Sequence, residues 1–347
     1  MRPIIGPRFT NRQLPWQSLS HPLPETGVYG AEQALHWAGL DYPVFKDPLY
    51  AGTGAAQTHL PDRFAVTRDT NPGKQILGIV GRDYTILQNM DLADALDRSG
   101  ITDRFPVHSV GIMRGGALVF ICLSVGSTEI MGDAYQSYLL IINGHDGSTA
   151  ATISYTPVAI DCTNALFRGV KAATAVLSLT HGKHINQLLA EATQQTIPET
   201  AASLHDGARN SLRRMAHRTL NAGQVQRVLW DVFPTPPKPA PYKYIQGLDI
   251  EVQATAAGQR ETSYQSAVER AAALRRQADI LYTRFNDTRP FNRGTAYALY
   301  QALTELALHR EGPSAKGKED QVAVSVMVGS RAAEMGRAWK ALEQIAA

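Results

Sequence analysis

The sequence predicts an α+β fold, in which an antiparallel β-meander core with packed helices is followed by a helical C-terminal region. Apolar, β-branched and aromatic runs bounded by glycine, asparagine or proline fill residues 76–166. Apolar residues then recur at helical spacing from residue 184 onward. The 347 residues are enough to bury a core without disulfides, and the two cysteines, Cys122 and Cys162, lie in strand-like stretches where buried thiols are expected.

The chain divides into four predicted segments. Residues 1–75 are rich in Pro, Gly and Thr without a sustained period, which predicts an irregular N-terminal arm with short strands and one helical turn near residues 31–40. Residues 76–232 are predicted to form an α+β core with basic helices. The prolines of residues 233–243 predict a linker or loop, and residues 244–347 are predicted as a helical C-terminal region.

Within the core, the stretch ILGIVGRDYTILQN is β-rich, and Asn89 at its end is predicted to cap the helix MDLADALDRSG. The stretch VHSVGIMRGGALVFICLSVG predicts two strands joined by a turn at Arg114-Gly115-Gly116. Further strands are predicted through SYLLIINGHDGSTAATISYTPVAIDCTNAL. The stretch FRGVKAATAVLSL fits either a helix or another strand, and HGKH at residues 181–184 is interpreted as the start of a helix.

Residues 143–148, NGHDGS, are the main candidate for chemistry. A histidine beside an aspartate suggests a catalytic or metal site, but the surrounding sequence has no HxxxH, CxxC or paired carboxylates. Asn-Gly and Asp-Gly are strong turn dipeptides, so a β-turn between two strands is the favoured interpretation. A polar site remains the alternative, because turn geometry alone does not require His145.

The formal net charge of +3 is only mildly basic, so the distribution of charge is more informative than its total. Residues 162–190 contain no acidic residue, and arginine is the dominant charge between residues 207 and 310. Arginine and lysine bind phosphates by charge and hydrogen bonding, whereas solvated helix faces explain any single arginine about as well. The candidate nucleic-acid contacts are Arg114, Arg168, Lys171, Lys183, Arg213, Arg214, Arg275 and Arg276.

Several motifs in one order resemble a known family, the phage/plasmid-like proteins of domain of unknown function 932. The motifs are LGIVGRDYTILQN, MRGGALVFICL, YLLIINGHDGSTA, YTPVAIDCTNAL and GTAYALYQALTELALHR. The resemblance covers residues 76–184 and 290–345. Gly144, Ala159 and Ala165 depart from the family pattern, which has Ser, Arg and Thr at those positions.

The family resemblance implies no activity, but phage or plasmid association implies DNA metabolism. The order of a helix, a three-stranded meander and a basic segment that begins at Asn164 also resembles Rad52-type single-strand annealing proteins, which form oligomeric rings. We therefore expect a non-enzymatic protein that binds or anneals single-stranded DNA in recombination or replication. We expect it to act as a homo-oligomer, with no cofactor and no metal.

Two other functions stay open at this point. A metal-dependent hydrolase acting on nucleic acid or a phosphorylated substrate would use His145, Asp146 and Asn164, with Asn143 and Cys162 beside them. A virion or assembly protein would use the N-terminal arm and the C-terminal helices for subunit contacts. No run approaches the roughly 18 apolar residues of a membrane span, and the first residues lack the apolar stretch of a signal peptide, so we expect a cytoplasmic protein without a membrane partner.

Overall fold

The computed structural model confirms the α+β class and divides into two compact units. The first comprises Met1–Ser211 and Glu311–Gly336, and the second comprises Leu212–Arg310 and Arg337–Ala347. The structure describes residues 20–21, 23, 30–53, 56–130, 133–159, 175–288, 292–310, 321, 325–327 and 329–347.

The described strands all lie in the first unit. They are β1 (Ser20–His21), β2 (Val44–Ala51), β3 (Thr58–Asp69), β4 (Lys74–Gly81), β5 (Val107–Met113), β6 (Leu118–Ile130), β7 (Asp133–Gly144), β8 (Ala151–Ala159) and β9 (Ala175–Leu179). The helices are α1 (Ala31–Trp37), α2 (Asn89–Arg98), α3 (Ile101–Arg104), α4 (Ile185–His217), α5 (Ala222–Val232), α6 (Ile250–Thr288), α7 (Ala296–His309) and α8 (Ser330–Ala346). Among the helices that these residues form, none combines the length and apolar character needed to cross a bilayer.

The predicted meander is confirmed and is longer than three strands. One antiparallel sheet has the order β1-β5-β6-β7-β8-β9, so the strands from β5 to β9 are neighbours in the chain and in the sheet. Residues 118–123 of β6 and 137–144 at the end of β7 are all buried. Burial on both faces explains why these strands are continuously apolar instead of alternating. The expected burial of Cys122 is confirmed, and this burial raises the pKa of its thiol.

The predicted turn at Arg114-Gly115-Gly116 is also confirmed. These three residues form a short 3₁₀ turn between β5 and β6. All three have left-handed backbone conformations, with φ of 51° at Arg114, 63° at Gly115 and 97° at Gly116. Glycine adopts this region without steric cost, which explains the Gly-Gly pair. For the ambiguous stretch FRGVKAATAVLSL, residues 175–179 form strand β9.

The expectation of an irregular arm is wrong for residues 44–69. These residues form β2 and β3, which have eight and twelve residues and pair with β4 in a second antiparallel sheet of order β2-β3-β4. The prolines that hide this pattern, Pro48 and Pro61, lie where the β2–β3 register shifts, so neither has to complete a regular ladder. The helical turn predicted near residues 31–40 is confirmed as α1.

The second unit contains α5, α6, α7 and parts of α4 and α8. The predicted helical character of the C-terminal region is confirmed. Residues 233–243 contain no helix or strand and connect α5 to α6 inside this unit. Tyr297, Tyr300 and Leu303 of α7 are buried, as are Ala278 and Phe285 of α6. The core of this unit therefore lies along α7.

Strand β4 closely approaches the connection between β7 and β8. A Cβ atom built on Gly78 would lie 2.6 Å from the backbone carbonyl carbon of Asp146. On the neighbouring residue of that connection, a Cβ on Gly147 would lie 2.9 Å from the carbonyl oxygen of Ile79. The three-stranded sheet and the NGHDGS segment are thus in backbone contact, and this contact requires glycine.

Replacing Gly78 with alanine should destabilise the protein, because the added methyl group has no room against the Asp146 backbone. We expect Gly78→Ala to lower the free energy of unfolding, measured by urea denaturation, by about 1–3 kcal/mol. Gly81→Ala is the matched control, since a Cβ there meets nothing within 4 Å. We expect it to change stability by less than about 1 kcal/mol. Equal losses in the two variants would contradict the close approach.

Candidate functional site

The NGHDGS segment is the connection between β7 and β8, as predicted. β7 ends at Gly144, β8 begins at Ala151, and Gly147 has the left-handed φ of 75° that favours glycine. The segment is not an ordinary surface turn. Asn143 and His145 are fully buried, with 0% of their surface exposed. Polar groups that are this deeply buried need hydrogen-bond partners within the protein.

Those partners come from the first residue of α2. The Asn89 side chain is buried, and its Nδ2 donates to the Leu40 carbonyl at 3.1 Å. Its Oδ1 lies 2.9 Å from Nε2 of His145 and accepts from Nδ2 of Asn143 at 3.1 Å. The prediction that Asn89 caps α2 is wrong. The helix is preceded by Gln88, and no side chain makes a capping hydrogen bond there.

The hydrogen-bond pattern determines the protonation of His145. Because the Leu40 carbonyl accepts from Asn89 Nδ2, the oxygen of that amide faces His145, and His145 must donate from Nε2. Asn143 is oriented in the same way, since its Nδ2 donates to the Leu87 carbonyl at 2.9 Å. Nδ1 of His145 and Oδ1 of Asn143 are then buried acceptors, and neither has a partner within the described part of the chain.

Burial also keeps this histidine neutral. Desolvation lowers the pKa of His145 to about 4, because a buried imidazolium loses its hydration. The nearby His181 lowers that pKa further, and Asp146 opposes the shift. The inside of the cluster is therefore neutral at pH 7.

Asp146 lies at the edge of this cluster and holds the turn together. Its Oδ1 accepts from the backbone amides of Ser148 and Thr149 at 2.9 and 2.8 Å, and Oδ2 accepts from Oγ1 of Thr149. Burial alone would raise the pKa of Asp146, but these hydrogen bonds outweigh it and lower the pKa below its ordinary value. Asp146 also forms an ion pair with Arg114 from the β5–β6 turn. The carboxylate therefore links two adjacent turns.

Tyr84 and His181 border the same connection. The Tyr84 hydroxyl donates to the Gly144 carbonyl at 2.8 Å, and its ring stacks on His181 with 4.8 Å between centroids. Nδ1 of His181 donates to the Thr85 carbonyl at 3.2 Å, which leaves the buried Nε2 without a partner in the residues described. HGKH does precede a helix, since α4 begins at Ile185, but His181 also belongs to the polar cluster.

A cleft of about 560 Å³ opens beside Tyr84, and three of its four charged lining residues are basic. Lys46 lines this cleft, and its amine donates to the carbonyls of Arg82 and Tyr84 at 2.6 and 2.9 Å. Arg82 pairs with Asp62 at 2.7 Å, although both side chains are about 70% exposed. Lys183 is exposed and forms no ion pair with a described residue. The residues that line the cleft are Lys46, Arg82, Asp83, Tyr84, Thr85, Ile86 and Lys183.

The candidate nucleic-acid contacts of the first unit have different environments. Arg114 is half-exposed and its charge is offset by Asp146, whereas Lys183 lies in the cleft. Arg168 and Lys171 lie outside the described residues, as do Cys162 and Asn164, which were candidates for a catalytic site.

The four candidates of the second unit also differ. Arg213 and Arg276 are exposed, and Arg214 is exposed with a guanidinium nitrogen 3.9 Å from a Glu343 carboxylate oxygen. The Arg275 guanidinium lies 3.7 Å from the centroid of the Trp230 ring and donates to the Phe233 carbonyl at the end of α5. Arg275 thus packs on an aromatic ring and supplies a hydrogen-bond donor to the C-terminal end of α5.

Sequence reasoning did not assign four residues to the site. Asn89 and His181 belong to the buried polar cluster, and Lys46 and Arg82 line the cleft. Asn89 and Tyr84 come from the motif LGIVGRDYTILQN, and Asn143 and His145 come from NGHDGS. The signal was the presence of two polar motifs more than 50 residues apart. Their contact depends on folding that no local pattern reveals.

A family comparison matches the same part of the chain. The model of the domain of unknown function DUF932 covers residues 76–332, which includes the polar cluster and Lys183. The chain belongs to the DUF932 family. No curated protein and no solved structure matches it. Membership in this family therefore does not assign an activity to the chain.

The structure explains why glycine stands at position 144. A Cβ atom on Gly144 would collide with the carbonyl oxygen of Thr149, because the connection closes tightly on itself. A serine at this position would therefore require a shift of this backbone. Only glycine, which has no Cβ atom, fits at position 144 without this shift.

The buried His145 should make stability depend on pH. Its folded pKa is about 4 and its ordinary value is 6.5, so between these values only the unfolded chain takes up the proton. Stability should therefore decrease as pH falls through this window. We expect the wild type to lose up to about 3 kcal/mol more than His145→Gln between pH 7 and pH 4.5, measured by urea denaturation. Glutamine keeps an N–H donor for Asn89, and parallel pH profiles would contradict the assignment.

Proposed function

We propose that this DUF932 protein binds single-stranded DNA through the phosphate backbone, in recombination or replication, and that it acts as an oligomer without a cofactor. The observation that carries the proposal is the cleft beside Tyr84, in which Lys46, Arg82 and Lys183 outnumber the single acid Asp83. Lysine and arginine side chains bind phosphates by charge, and this term dominates sequence-independent binding.

The lining of the cleft favours contact with the backbone over contact with the bases. Its one aromatic side chain among the described lining residues, Tyr84, is half-buried, stacked on His181 and hydrogen-bonded to Gly144. A ring held in this way offers no free platform for a base. Lys183 is free of acidic partners in the described structure, so it is the residue we assign to the first phosphate contact.

The sequence extends this basic character along the chain. Lys183 belongs to the acid-free segment of residues 162–190, which also contains Arg168 and Lys171. We propose that these residues contribute further phosphate contacts. Strand annealing is a more specific proposal than the binding of single-stranded DNA. It rests on the order of sequence elements that resembles Rad52-type proteins, and binding in the cleft does not depend on it.

Reversing the charge of Lys183 should weaken binding of single-stranded DNA. We expect Lys183→Glu to raise the Kd for a fluorescein-labelled 20-nucleotide strand about tenfold in fluorescence anisotropy. The slope of log Kd against log salt should fall by about one, since one phosphate contact is lost. Lys238→Glu is the matched control, because it makes the same charge change on an exposed residue outside the cleft. Equal losses in both variants, or no wild-type binding at low salt, would refute the proposal.

A second function is favoured by three buried acceptor atoms of the polar cluster that lack partners in the described part of the chain, Nδ1 of His145, Oδ1 of Asn143 and Nε2 of His181. Such atoms require an ordered water, an ion or a bound group as the missing partner. A hydrolase of nucleic acid or a phosphorylated substrate would use His145 with Asp146 there. The described residues contain no group of three metal-ligating His, Cys, Asp or Glu side chains, so a metal would require ligands outside that set.

This second function has a direct test. A hydrolase should cleave labelled single-stranded DNA or p-nitrophenyl phosphate in the presence of Mn²⁺ or Zn²⁺, and His145→Gln should abolish the turnover. His145→Gln should leave the binding of single-stranded DNA in the cleft unchanged, because His145 does not line it. Absence of turnover by the wild type with both substrates and both metals would remove the hydrolase from consideration.

A further inference from the structure

The connection between α5 and α6 has an unusual composition. Residues 233–245 read FPTPPKPAPYKYI, and we call them the Pro-rich segment. From Phe233 to Pro241, every residue either is a proline or precedes one. Proline fixes φ at about −65°, and a residue before proline is restricted to extended conformations. The sequence therefore favours a polyproline II helix, which has about three residues per turn and no internal hydrogen bonds.

Both ends of the Pro-rich segment are fixed to α6. The Arg275 guanidinium donates to the Phe233 carbonyl. The Gln253 side chain accepts from the Ile245 amide at 2.6 Å and donates to the Ile245 carbonyl at 3.1 Å. Phe233 thus lies near the later anchoring residue of α6 and Ile245 near the earlier one. The segment therefore runs antiparallel to α6.

The distance between these anchors fits a polyproline II helix. Gln253 and Arg275 are 22 positions apart on α6, which corresponds to about 33 Å along an α-helix. The 12 steps from Phe233 to Ile245 cover about 37 Å at the polyproline II rise of about 3.1 Å per residue. The anchoring side chains cover the small difference. The segment is thus held at nearly its full polyproline II length.

Burial along the Pro-rich segment repeats at every third residue. Phe233 is buried, and Pro236, Pro239 and Tyr242 are half-buried. The residues between these four are all exposed. Because a polyproline II helix has about three residues per turn, one of its edges packs on the protein and the other two face solvent. The two open edges carry the dipeptides Pro234-Thr235, Pro237-Lys238 and Ala240-Pro241.

We propose that these two open edges dock into a groove of a partner protein that is lined by aromatic side chains and flanked by acidic ones. Pro234 and Pro237 have the PxxP spacing that such grooves recognise, and they lie one turn apart on the same open edge. The anchored segment already has the bound conformation, so docking costs little conformational entropy.

The backbone of the Pro-rich segment is also available to a partner. The carbonyls of residues 234–244 accept no hydrogen bond from the described part of the chain. Tryptophan and tyrosine side chains donate hydrogen bonds through their N–H and O–H groups. An aromatic groove therefore offers packing surfaces for the proline rings and donors for these carbonyls.

Charge complementarity defines the flank of the groove. Residues 232–248 contain Lys238 and Lys243 but no aspartate or glutamate. Both lysines are exposed, and neither forms an ion pair with a described residue. Acidic side chains beside the groove would complement them. Proline rings outnumber these two cations, which favours an aromatic protein groove over a nucleic acid as the occupant.

The docking is tested with the full chain and immobilised SH3 and WW domains, whose aromatic grooves bind polyproline II helices. In biolayer interferometry we expect the wild type to bind at least one of these domains with a micromolar Kd. Pro237→Ala should weaken this binding about tenfold, because it removes a ring from an open edge. Pro239→Ala is the matched control on the packed edge and should change the Kd less than about threefold. Absence of wild-type binding to every domain, or equal losses in the two variants, would overturn the proposal.

Charge reversal tests the acidic flank and separates docking from DNA binding. Lys238→Glu should weaken docking about fivefold and should leave the binding of single-stranded DNA unchanged. Lys183→Glu in the cleft should have no effect on docking. An unchanged docking Kd in Lys238→Glu would contradict the acidic flank. Loss of DNA binding in that variant without loss of docking would assign the segment to nucleic acid and refute the proposal.

Discussion

The buried hydrogen bond between Asn89 and His145 is the interaction on which the arrangement of the first unit depends. Asn89 begins α2 and also bonds to the Leu40 carbonyl, while His145 lies in the β7–β8 connection beside Asn143. The contact therefore joins a helix, the residues after α1 and the connection between two strands of the main sheet. All of these groups are buried, so the loss of one partner leaves polar atoms without water or protein contacts, which costs about 1–3 kcal/mol each.

This network separates the neutral interior of the site from its charged surface. Inside, His145 is neutral and is surrounded by amides and carbonyl oxygens. Tyr84 lies between the two regions, since its hydroxyl bonds to Gly144 and the residue also lines the cleft. Lys183 lies on the outer side, next to the cluster through the His181–Tyr84 stack. In our proposal the buried motifs shape the cleft, and the exposed cations bind the phosphates.

The sequence predicts the meander well because its strands obey local rules. Continuous apolar runs and glycine-rich turns are visible without tertiary information, as in residues 118–123 and at Gly115. The smaller sheet was missed because Pro48 and Pro61 interrupt the pattern, and only the pairing reveals that both lie at a register shift. Asn89 was misinterpreted because a helix-capping asparagine and a buried one look identical in sequence. Its partners are 54 and 56 residues away, so no local pattern distinguishes the two roles.

The most direct test of this account is a double-mutant cycle between Asn89 and His145. The free energy of unfolding would be measured for the wild type, Asn89→Ala, His145→Ala and the double variant by urea denaturation at pH 7. If the two side chains stabilise the fold through their shared hydrogen bond, the double variant should be more stable than the sum of the single losses predicts, by about 1 kcal/mol or more. Additive losses within about 0.3 kcal/mol would contradict the account.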